Sequence, residues 1–191
     1  MRLILASASP RRKELLEKAG FSFDVLIPKA EELSEGLYFE KIAIFNAIAK
    51  SESLAVLNPD AIVIGADTVI ESEGRILGKP SSIKDASDML SSLSGKAHRV
   101  VSGVCVRNVK TSISCVFAEC STVHFRYFDS AVIEKYLSLV HVLDKAGAYA
   151  VQEYGDMLVD NIEGSVENVI GLPAARLTEL LNHLLAKASS R

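Results

Sequence analysis

The sequence predicts an α/β fold built on a mixed sheet, and two patterns indicate it. In the first half of the chain, short apolar runs alternate with segments of helical periodicity, which is typical of strands joined by helices. In the second half, two long β-branched segments at residues 98–109 and 112–127 follow each other across a short turn, which favours an antiparallel pair. We therefore expect a single α/β domain over residues 1–191, either as one body or as two lobes.

The first strand and the first helix carry clear boundary signals. Residues 3–6 form a short apolar run, which predicts a buried strand. Ser9 is a natural N-cap and Pro10 is a natural first-turn residue, so we expect a helix over residues 10–19. Gly20 is placed to end this helix.

The next segment predicts a strand, an acidic loop and a longer helix. Residues 21–27 form the strand, which Pro28 stops, and Glu31 and Glu32 lie in the loop that follows. The helix is expected over residues 37–57. Its core face is predicted to carry four apolar residues at helical spacing, which are Ile42, Phe45, Ile48 and Ala49.

The rest of the chain continues the alternation with a hairpin and three helices. Residues 61–65 predict a third apolar strand, with Asp67 and Thr68 at its far end, and Glu73-Gly74 predicts a hairpin turn. Three amphipathic segments predict helices, at residues 83–93, 129–139 and 173–185. Residues 144–171 are expected to form loops and short strands, and residues 187–191 are expected to form a frayed tail.

Charge and composition disfavour several classes of protein. The formal net charge is −3, whereas a non-specific nucleic-acid binder usually carries a basic excess. No apolar run reaches the roughly 18 residues of a membrane helix, and the apolar start is too brief for a signal peptide. Cys105, Cys115 and Cys120 lack metal or disulfide spacing, so reduced thiols are expected. We therefore expect a cytoplasmic protein that binds neither nucleic acid nor membranes.

Polar residues follow three of the predicted strands. In an open α/β sheet, ligands bind outside the carboxyl ends of the strands. If the three strands run parallel, as the connecting helices favour, their polar ends meet at one edge. That edge would collect hydroxyls, guanidiniums and carboxylates from Ser7, Ser9, Arg11, Arg12, Glu31, Glu32 and Asp67.

These residues suit phosphate chemistry, and each has a plainer alternative. Arg11 and Arg12 in a first helical turn oppose the helix dipole unless an anion binds there, and a solvated surface pair is the alternative. Asp67 is a candidate general base or metal ligand, and a turn-capping role is the alternative. Lys50 and Lys79 are candidates for phosphate contacts, and the alternative is that they are ordinary surface lysines. The chain contains no P-loop and no nucleophile elbow.

The order of the motifs along the chain resembles the Maf family over nearly its whole length. The opening block is Leu-Ala-Ser-Ala-Ser-Pro-Arg-Arg-Lys-Glu-Leu-Leu at residues 5–16. The blocks that follow, in the family's order, are Glu31-Glu32, Lys50, Gly65-Ala66-Asp67-Thr68, Leu77-Gly78-Lys79-Pro80, Leu-Ser-Gly-Lys-Ala-His-Arg-Val at 93–100, Asp-Lys-Ala-Gly-Ala-Tyr-Ala-Val-Gln at 144–152, and Val-Ile-Gly-Leu-Pro at 169–173.

The resemblance implies a fold, a reaction and a set of roles. The fold would be a mixed α/β domain with a deep cleft, related to inosine triphosphate pyrophosphatases. The reaction would be hydrolysis of a nucleoside triphosphate between its α- and β-phosphorus atoms, helped by a divalent cation, Mg²⁺ or Mn²⁺. Asp67 would be the general base and, with Glu32, a metal ligand. The implied substrate-binding residues are Ser7, Arg11, Arg12, Lys50, Thr68, Lys79 and Gln152. A homodimer is also compatible with the resemblance.

Base preference is implied by three of these positions. Arg11, Thr68 and Gln152 match positions tied to base choice, and Thr68 and Gln152 resemble the branch that acts on dTTP and UTP. The Gln152 amide donates and accepts at once, which suits a pyrimidine carbonyl and its neighbouring N–H. Removal of non-standard nucleotides is the cellular duty that this hypothesis implies.

Three departures from the family pattern keep alternatives open. Asn46 stands where an apolar residue is common, and Ser51 stands where Ala is usual. Glu153-Tyr154 follows Gln152 where a Gly often appears, and this change touches the implied base pocket. One alternative is a pyrophosphatase for 7-methyl-GTP or another modified nucleotide. The other is a nucleotide-binding regulator of cell division, acting in septum formation without catalysis.

Overall fold

The chain divides into two compact units. The computed structural model describes residues 1–35 and 38–189. The first unit consists of Met1–Thr68, Ser102–Glu119 and Gly171–Arg191, and the second consists of Val69–Val101 and Cys120–Ile170. Every helix among the described residues is too short or too polar to span a membrane.

The described residues form seven strands and six α-helices. The strands are β1 (Leu3–Ala6), β2 (Asp24–Leu26), β3 (Ile62–Ser72), β4 (Arg75–Leu77), β5 (Ala97–Asn108), β6 (Ile113–Phe125) and β7 (Val159–Glu163). The helices are α1 (Pro10–Lys18), α2 (Phe39–Ala55), α3 (Ile83–Leu93), α4 (Ser130–Leu139), α5 (Val166–Ile170) and α6 (Ala174–Ser189). Two short 3₁₀ turns lie at Ala146–Ala148 and Gly155–Met157.

The strands pair in a mixed sheet of order β2-β1-β3-β5-β6-β7, with β4 paired to β3. β1 runs parallel to β2 and to β3, and Ala6 lies opposite both Leu26 and Gly65. β4 is antiparallel to β3, and β7 is antiparallel to β6. Residues 109–112 alone join the neighbours β5 and β6, and so short a connection fits only antiparallel strands. The predicted mixed α/β fold is confirmed.

Local signals at element ends are also confirmed. The Ser9 hydroxyl accepts a hydrogen bond from the Arg12 amide and caps α1, and Asp129 caps α4 in the same manner. Helix α3 has the predicted bounds. Glu73 and Gly74 both have positive φ and form the predicted turn between β3 and β4.

The predicted core face of α2 is wrong at Phe45, whose side chain is 53% exposed. The buried residues of α2 are Ile42, Ala43, Asn46, Ala47, Lys50, Ser51, Leu54 and Ala55. Two polar side chains, Asn46 and Lys50, therefore take interior positions that hydrophobic periodicity alone assigns to apolar residues. The helix begins at Phe39, and the predicted first residue, Leu37, lies outside the described residues.

Strand β3 is longer than predicted. It continues to Ser72, so Asp67 and Thr68 lie inside the strand and not at its far end. The strand continues past these polar residues because β4 pairs with its last part, at residues 70–72. In contrast, β2 covers only Asp24–Leu26 of the predicted residues 21–27.

The last part of the chain holds more helix than predicted. Helix α5 lies within residues 144–171, for which only loops and short strands were expected. Helix α6 continues through Ser189, so the predicted frayed tail is wrong for residues 187–189. Residues 190 and 191 lie outside the described part of the chain.

Each unit has its own apolar core. In the first unit, buried residues of α2, β1 and β3 pack together with the residue just before β3, namely Ile4, Ala6, Leu54, Ala55, Ala61 and Val63. In the second unit, a cluster rich in aromatic rings includes Ile70, Leu90, Val100, Phe125, Tyr136 and Tyr149. Burial of these side chains is the main term that stabilises each unit.

Two glycines let α2 lie very close to the strands beneath it. A Cβ atom at Gly65 of β3 would lie 2.2 Å from the Ala47 carbonyl oxygen, and one at Gly103 of β5 would lie 2.4 Å from the Ala43 carbonyl oxygen. Residues i and i+2 of a strand face the same side, so Asp67 faces α2 as Gly65 does. The close approach therefore brings the polar residues of α2 within reach of Asp67.

Candidate active site

The start of α1 is organised around two serine hydroxyls. Ser7 follows β1, and its buried Oγ accepts hydrogen bonds from the Ser9 amide at 3.1 Å and from Arg12 Nη1 at 3.4 Å. The Ser9 Oγ accepts from the Arg12 amide. Arg11 lies in the same turn and is half-buried. Two guanidiniums therefore lie in the helical turn where the dipole favours an anion.

The Arg12 guanidinium is fixed by acceptors on three sides. In addition to Ser7, Nε donates to the Gly171 carbonyl at 2.9 Å and Nη2 donates to Thr68 Oγ1 at 3.1 Å. Thr68 Oγ1 also lies 2.8 Å from Ser102 Oγ and 3.2 Å from the Gly171 carbonyl oxygen. Gly171 has a φ of 133°, which L side chains rarely adopt, and this conformation orients its carbonyl for both contacts.

The charge of Arg12 is set by opposing influences. Burial lowers the pKa of its guanidinium and the nearby Arg11 lowers it too, while the carboxylates of Asp67 and Glu32 raise it. An arginine side chain stays protonated in proteins, so Arg12 remains a cation. A cation that has lost part of its water gains more from a bound anion than an exposed one does.

Asp67 has a donor on each of its carboxylate oxygens. Lys50 Nζ lies 2.7 Å from Oδ1, and Asn46 Nδ2 donates to Oδ2 at 2.9 Å. Asn46 and Lys50 are four residues apart on α2 and share one helix face. Lys50 Nζ also lies 2.9 Å from Glu32 Oε2 in the loop after β2. Asp67, Asn46 and Lys50 are buried, whereas Glu32 is exposed.

The carboxylate oxygens of Asp67 and Glu32 are the type of donor that a hard divalent cation prefers. Mg²⁺ is usually bound by one or two carboxylates together with substrate phosphates. Within the part of the chain that the structure describes, no group of three or more His, Cys, Asp or Glu side chains is placed to hold a metal. A cation at Asp67 and Glu32 would therefore take further oxygens from a bound phosphate.

Most of the predicted site residues come together in the first unit. Contacts join Ser7, Arg12 and Thr68 in one group and Glu32, Lys50 and Asp67 in another. Thr68 and Asp67 are neighbours on β3, and Arg11 precedes Arg12 in α1. The expected parallel pairing of β1, β2 and β3 is confirmed, but the contacts form two groups, and Asp67 and Thr68 lie inside β3 and not at its end.

Lys79 and Gln152 lie in the second unit, and both are exposed. The turn before Lys79 is joined to the 144–152 block by a hydrogen bond from the Gly147 amide to the Gly78 carbonyl, at 3.0 Å. Lys145 in this block is buried, and its Nζ lies 3.4 Å from Glu153 Oε1. The roles of Lys79 and Gln152 stay predictions.

Three residues of the site were missed from the sequence. Asn46 carried a signal, since a polar residue stands where the family pattern is apolar, but its contact with Asp67 was not foreseen. Gly171 lay inside a matching block without a role. Ser102 carried no signal, because a serine in a long β-branched segment is ordinary on an exposed strand face.

A buried histidine makes the second unit sensitive to pH. His98 on β5 is 2% exposed, and its Nε2 lies 2.8 Å from the Tyr149 hydroxyl. Its Nδ1 has no hydrogen-bond partner among the described residues. Burial, and to a lesser degree the nearby His124, lowers the pKa of His98 to about 4. The imidazole is therefore neutral at neutral pH.

We expect this histidine to destabilise the fold in mild acid. In the unfolded chain, His98 takes up a proton near pH 6.5, whereas in the folded chain it does so only near pH 4. The free energy of unfolding that depends on neutral His98 is therefore fully present above pH 6.5 and is lost as the pH falls from 6.5 to 4. The loss amounts to roughly 3 kcal/mol at 1.36 kcal/mol for each pH unit. Urea unfolding gives the free energy of unfolding at pH 7.5 and at pH 4.5. The difference between these two free energies should be smaller in His98→Gln than in the wild type. The exposed His183→Gln should keep the wild-type difference.

A family model and several curated relatives match nearly the whole chain. The family model described as Maf-like protein matches residues 2–184. A dTTP/UTP pyrophosphatase of Akkermansia muciniphila is 42% identical over 183 residues, covering 95% of this chain and 96% of that protein. A dTTP/UTP pyrophosphatase of Dictyoglomus thermophilum is 42% identical over 184 residues and covers 95% of each chain.

A solved structure shares the fold at low sequence identity. The Staphylococcus aureus Ham1 protein matches with a TM-score of 0.56 and 16% identity, over 96% of this chain and 99% of that one. At this identity the likeness shows the fold alone.

Proposed function

The chain belongs to the Maf family, and from that premise we propose that it is a nucleoside triphosphate pyrophosphatase that hydrolyses dTTP and UTP. The products are the nucleoside monophosphate and pyrophosphate. The relatives that are 41–42% identical over about 95% of the chain and carry that name support the substrate. The observation that carries the reaction is Asp67, a buried carboxylate that contacts Lys50 and interacts electrostatically with Arg12.

The cations of the first unit would bind the polyphosphate. The Arg12 fork is already aligned by Ser7, Thr68 and Gly171, so little side-chain entropy is lost when a phosphate oxygen binds to it. Arg11 adds a second positive charge in the same helical turn. Lys50 lies between Asp67 and Glu32, and a phosphate brings oxygens that compete for its ammonium group.

Asp67 would act on the attacking water. When Lys50 turns toward the phosphate, the Asp67 carboxylate accepts a proton from a water molecule. At the same time, the oxygen of that water forms a bond to phosphorus. The bond between that phosphorus and the bridging oxygen breaks, and the bridging oxygen leaves with the pyrophosphate or the monophosphate. The site does not need a covalent intermediate, since positioning and charge stabilisation carry most of phosphoryl transfer.

Asp67 and Glu32 would hold the divalent cation, Mg²⁺ or Mn²⁺. Such an ion, when bound, neutralises charge on the phosphate oxygens and stabilises the charge that develops during hydrolysis. Lys50, which contacts both carboxylates, would give way to the ion as it turns toward the phosphate. The ion and the substrate are therefore expected to bind together.

Base choice would depend on Arg11, Thr68 and Gln152, with Lys79 adding a phosphate contact. Gln152 is exposed, so its amide is available to donate to and accept from a pyrimidine. The proposed compartment is the cytoplasm. Cys105, Cys115 and Cys120 all lie in the described part of the chain and form no disulfide there, which agrees with a reducing environment.

The test is to measure the release of pyrophosphate from dTTP, UTP, CTP, GTP and 7-methyl-GTP with Mg²⁺, with Mn²⁺ and with a chelator. We expect turnover of dTTP and UTP with either cation and none with the chelator. In ¹⁸O-labelled water, label in the monophosphate would identify the α-phosphorus as the point of attack. If 7-methyl-GTP is hydrolysed fastest, the proposed reaction is supported and the proposed preference for dTTP and UTP is contradicted. Tight nucleotide binding without turnover would favour the regulator and contradict the enzyme.

A further inference from the structure

Asn46 joins Asp67 to the loop that carries Glu32. Its side chain is 2% exposed, and the amide makes three hydrogen bonds. Nδ2 donates to Asp67 Oδ2 and to the Leu33 carbonyl, both at 2.9 Å, and Oδ1 accepts from the Leu33 amide at 2.8 Å. The orientation of the amide follows from its partners, because the Leu33 N–H can only donate.

We propose that Asn46 is a positioning residue that fixes Asp67 through Oδ2 and leaves Oδ1 as the oxygen that acts on water. The inference rests on the proposed function, in which Asp67 is the general base. Lys50, the partner of Oδ1, carries a full charge that phosphate oxygens attract away from the carboxylate. Asn46, the partner of Oδ2, is neutral and gains nothing comparable from a phosphate. The two oxygens of Asp67 therefore differ in availability once a substrate is bound.

The contacts with Leu33 extend this role to Glu32. Residues 31–34 belong to no helix or strand, so side-chain contacts must fix their position. The paired hydrogen bonds from Asn46 to the Leu33 backbone fix the residue directly after Glu32. One buried side chain on α2 thus sets the positions of both carboxylates of the site.

Ser51 on the same helix provides a matched control. Ser51 is fully buried, and Asn46 is almost fully buried. The Ser51 Oγ donates to the Ile48 carbonyl within α2 at 2.9 Å. Its side-chain hydrogen bonds are to the Ile48 carbonyl and to Cys105, and neither partner belongs to Asp67 or to the Glu32 loop. Ser51→Ala therefore removes a buried polar group from α2 and leaves the Asp67 contacts intact.

The experiment compares Asn46→Leu, Asn46→Asp and Ser51→Ala with the wild type in steady-state kinetics on dTTP with Mg²⁺. Asn46→Leu removes all three hydrogen bonds and should lower kcat by about 10- to 100-fold, since a bond to a charged group is lost. KM should stay within roughly threefold, because the phosphate-binding cations are untouched. Asn46→Asp replaces the donor by a like charge and should lower kcat at least as much. Ser51→Ala should keep the wild-type kcat.

Hydrogen exchange at the Leu33 amide supplies a measurement that does not depend on activity. Asn46→Leu should speed exchange of this amide by about tenfold or more, because its acceptor is gone. Asn46→Asp retains a carboxylate oxygen as the acceptor and should protect the amide. Ser51→Ala should leave the exchange rate unchanged.

Each outcome supports or overturns the proposal. Unchanged kcat in both Asn46 variants, or an equal loss in Ser51→Ala, would show that Asn46 has no specific effect on Asp67. Unchanged exchange of the Leu33 amide in Asn46→Leu would overturn the link to the loop. A wild type that hydrolyses no triphosphate would overturn the proposed function, and with it the working role of Oδ1. The exchange data would still decide whether Asn46 fixes the loop.

Discussion

Asp67→Asn is expected to lower kcat for dTTP by about 100- to 10,000-fold, which is the usual contribution of a positioned base. The amide cannot accept the proton of the attacking water at neutral pH. The cations that we propose to bind phosphate remain, so the KM for the nucleotide should change far less than kcat. Steady-state rates, together with equilibrium binding of the nucleotide in the presence of Mg²⁺, would separate these two effects.

The same substitution has a cost in stability that must be measured separately. An amide at residue 67 presents an N–H group either to Asn46 Nδ2 or to Lys50 Nζ, and both of these are donors. Removing one partner of a buried ion pair typically costs about 3–5 kcal/mol. Here Glu32 remains 2.9 Å from Lys50 and should reduce the loss. Thermal unfolding should therefore show a folded but less stable variant.

Glu71→Gln is the matched control for this experiment. Glu71 is another buried carboxylate of β3, it pairs with Arg99 at 2.8 Å, and it has no proposed role in the reaction. Its amide variant should lose stability and keep kcat. If Asp67→Asn retained more than a tenth of the wild-type kcat, Asp67 would not be the base. If Glu71→Gln lost activity to the same extent, the loss would follow stability and not chemistry.

Element ends were predictable because their causes are local. The Ser9 cap, the Asp129 cap and the Glu73-Gly74 turn each depend on residues within a few positions of one another. The parallel pairing of β1 with β3 was predictable too, and because Ala6 lies opposite Gly65, Ser7 lies near the level of Asp67 although β3 continues beyond that residue.

The failures on α2 and β3 have physical causes that a linear pattern does not contain. Hydrophobic periodicity assigned Phe45 to the core, yet the polar Asn46 and Lys50 are buried because Asp67 satisfies them. Natural sequences break the apolar pattern at functional sites, so this helix was the place to expect the error. The end of β3 was misjudged because backbone pairing with β4, and not side-chain polarity, sets where a strand stops.

Contacts between distant parts of the chain were beyond prediction. The Arg12 fork depends on the carbonyl of Gly171, which is 159 positions away, and on Ser102 through Thr68. The tight packing of α2 on Gly65 and Gly103 likewise depends on which strands lie beneath the helix. The composition of the chain and the spacing of its motifs do not indicate which distant residues contact each other. The family resemblance nevertheless named most of the residues involved.

Gly65→Ala is expected to cause a large loss of stability and also of activity. Its new Cβ would lie 2.2 Å from the Ala47 carbonyl oxygen and 2.7 Å from the Ser51 amide nitrogen, and both are backbone atoms that cannot rotate away. Helix α2 would have to move off β3, and overpacking of this kind costs about 1–3 kcal/mol or more. At roughly 2–4 °C for each kcal/mol in a chain of this size, Tm should fall by several degrees.

The movement of α2 should also change the contact between Lys50 and Asp67. Lys50 lies between Ala47 and Ser51 in sequence, so a displaced helix draws its ammonium away from Asp67, and kcat should fall even where the protein is fully folded. Gly78→Ala is the control for stability, since nothing lies within 4 Å of a Cβ atom there. Calorimetry on both variants, with kcat measured well below each Tm, gives the answer. A Gly65→Ala protein as stable and active as the wild type would show that α2 has room to move, and that the close approach at Gly65 does not position Lys50.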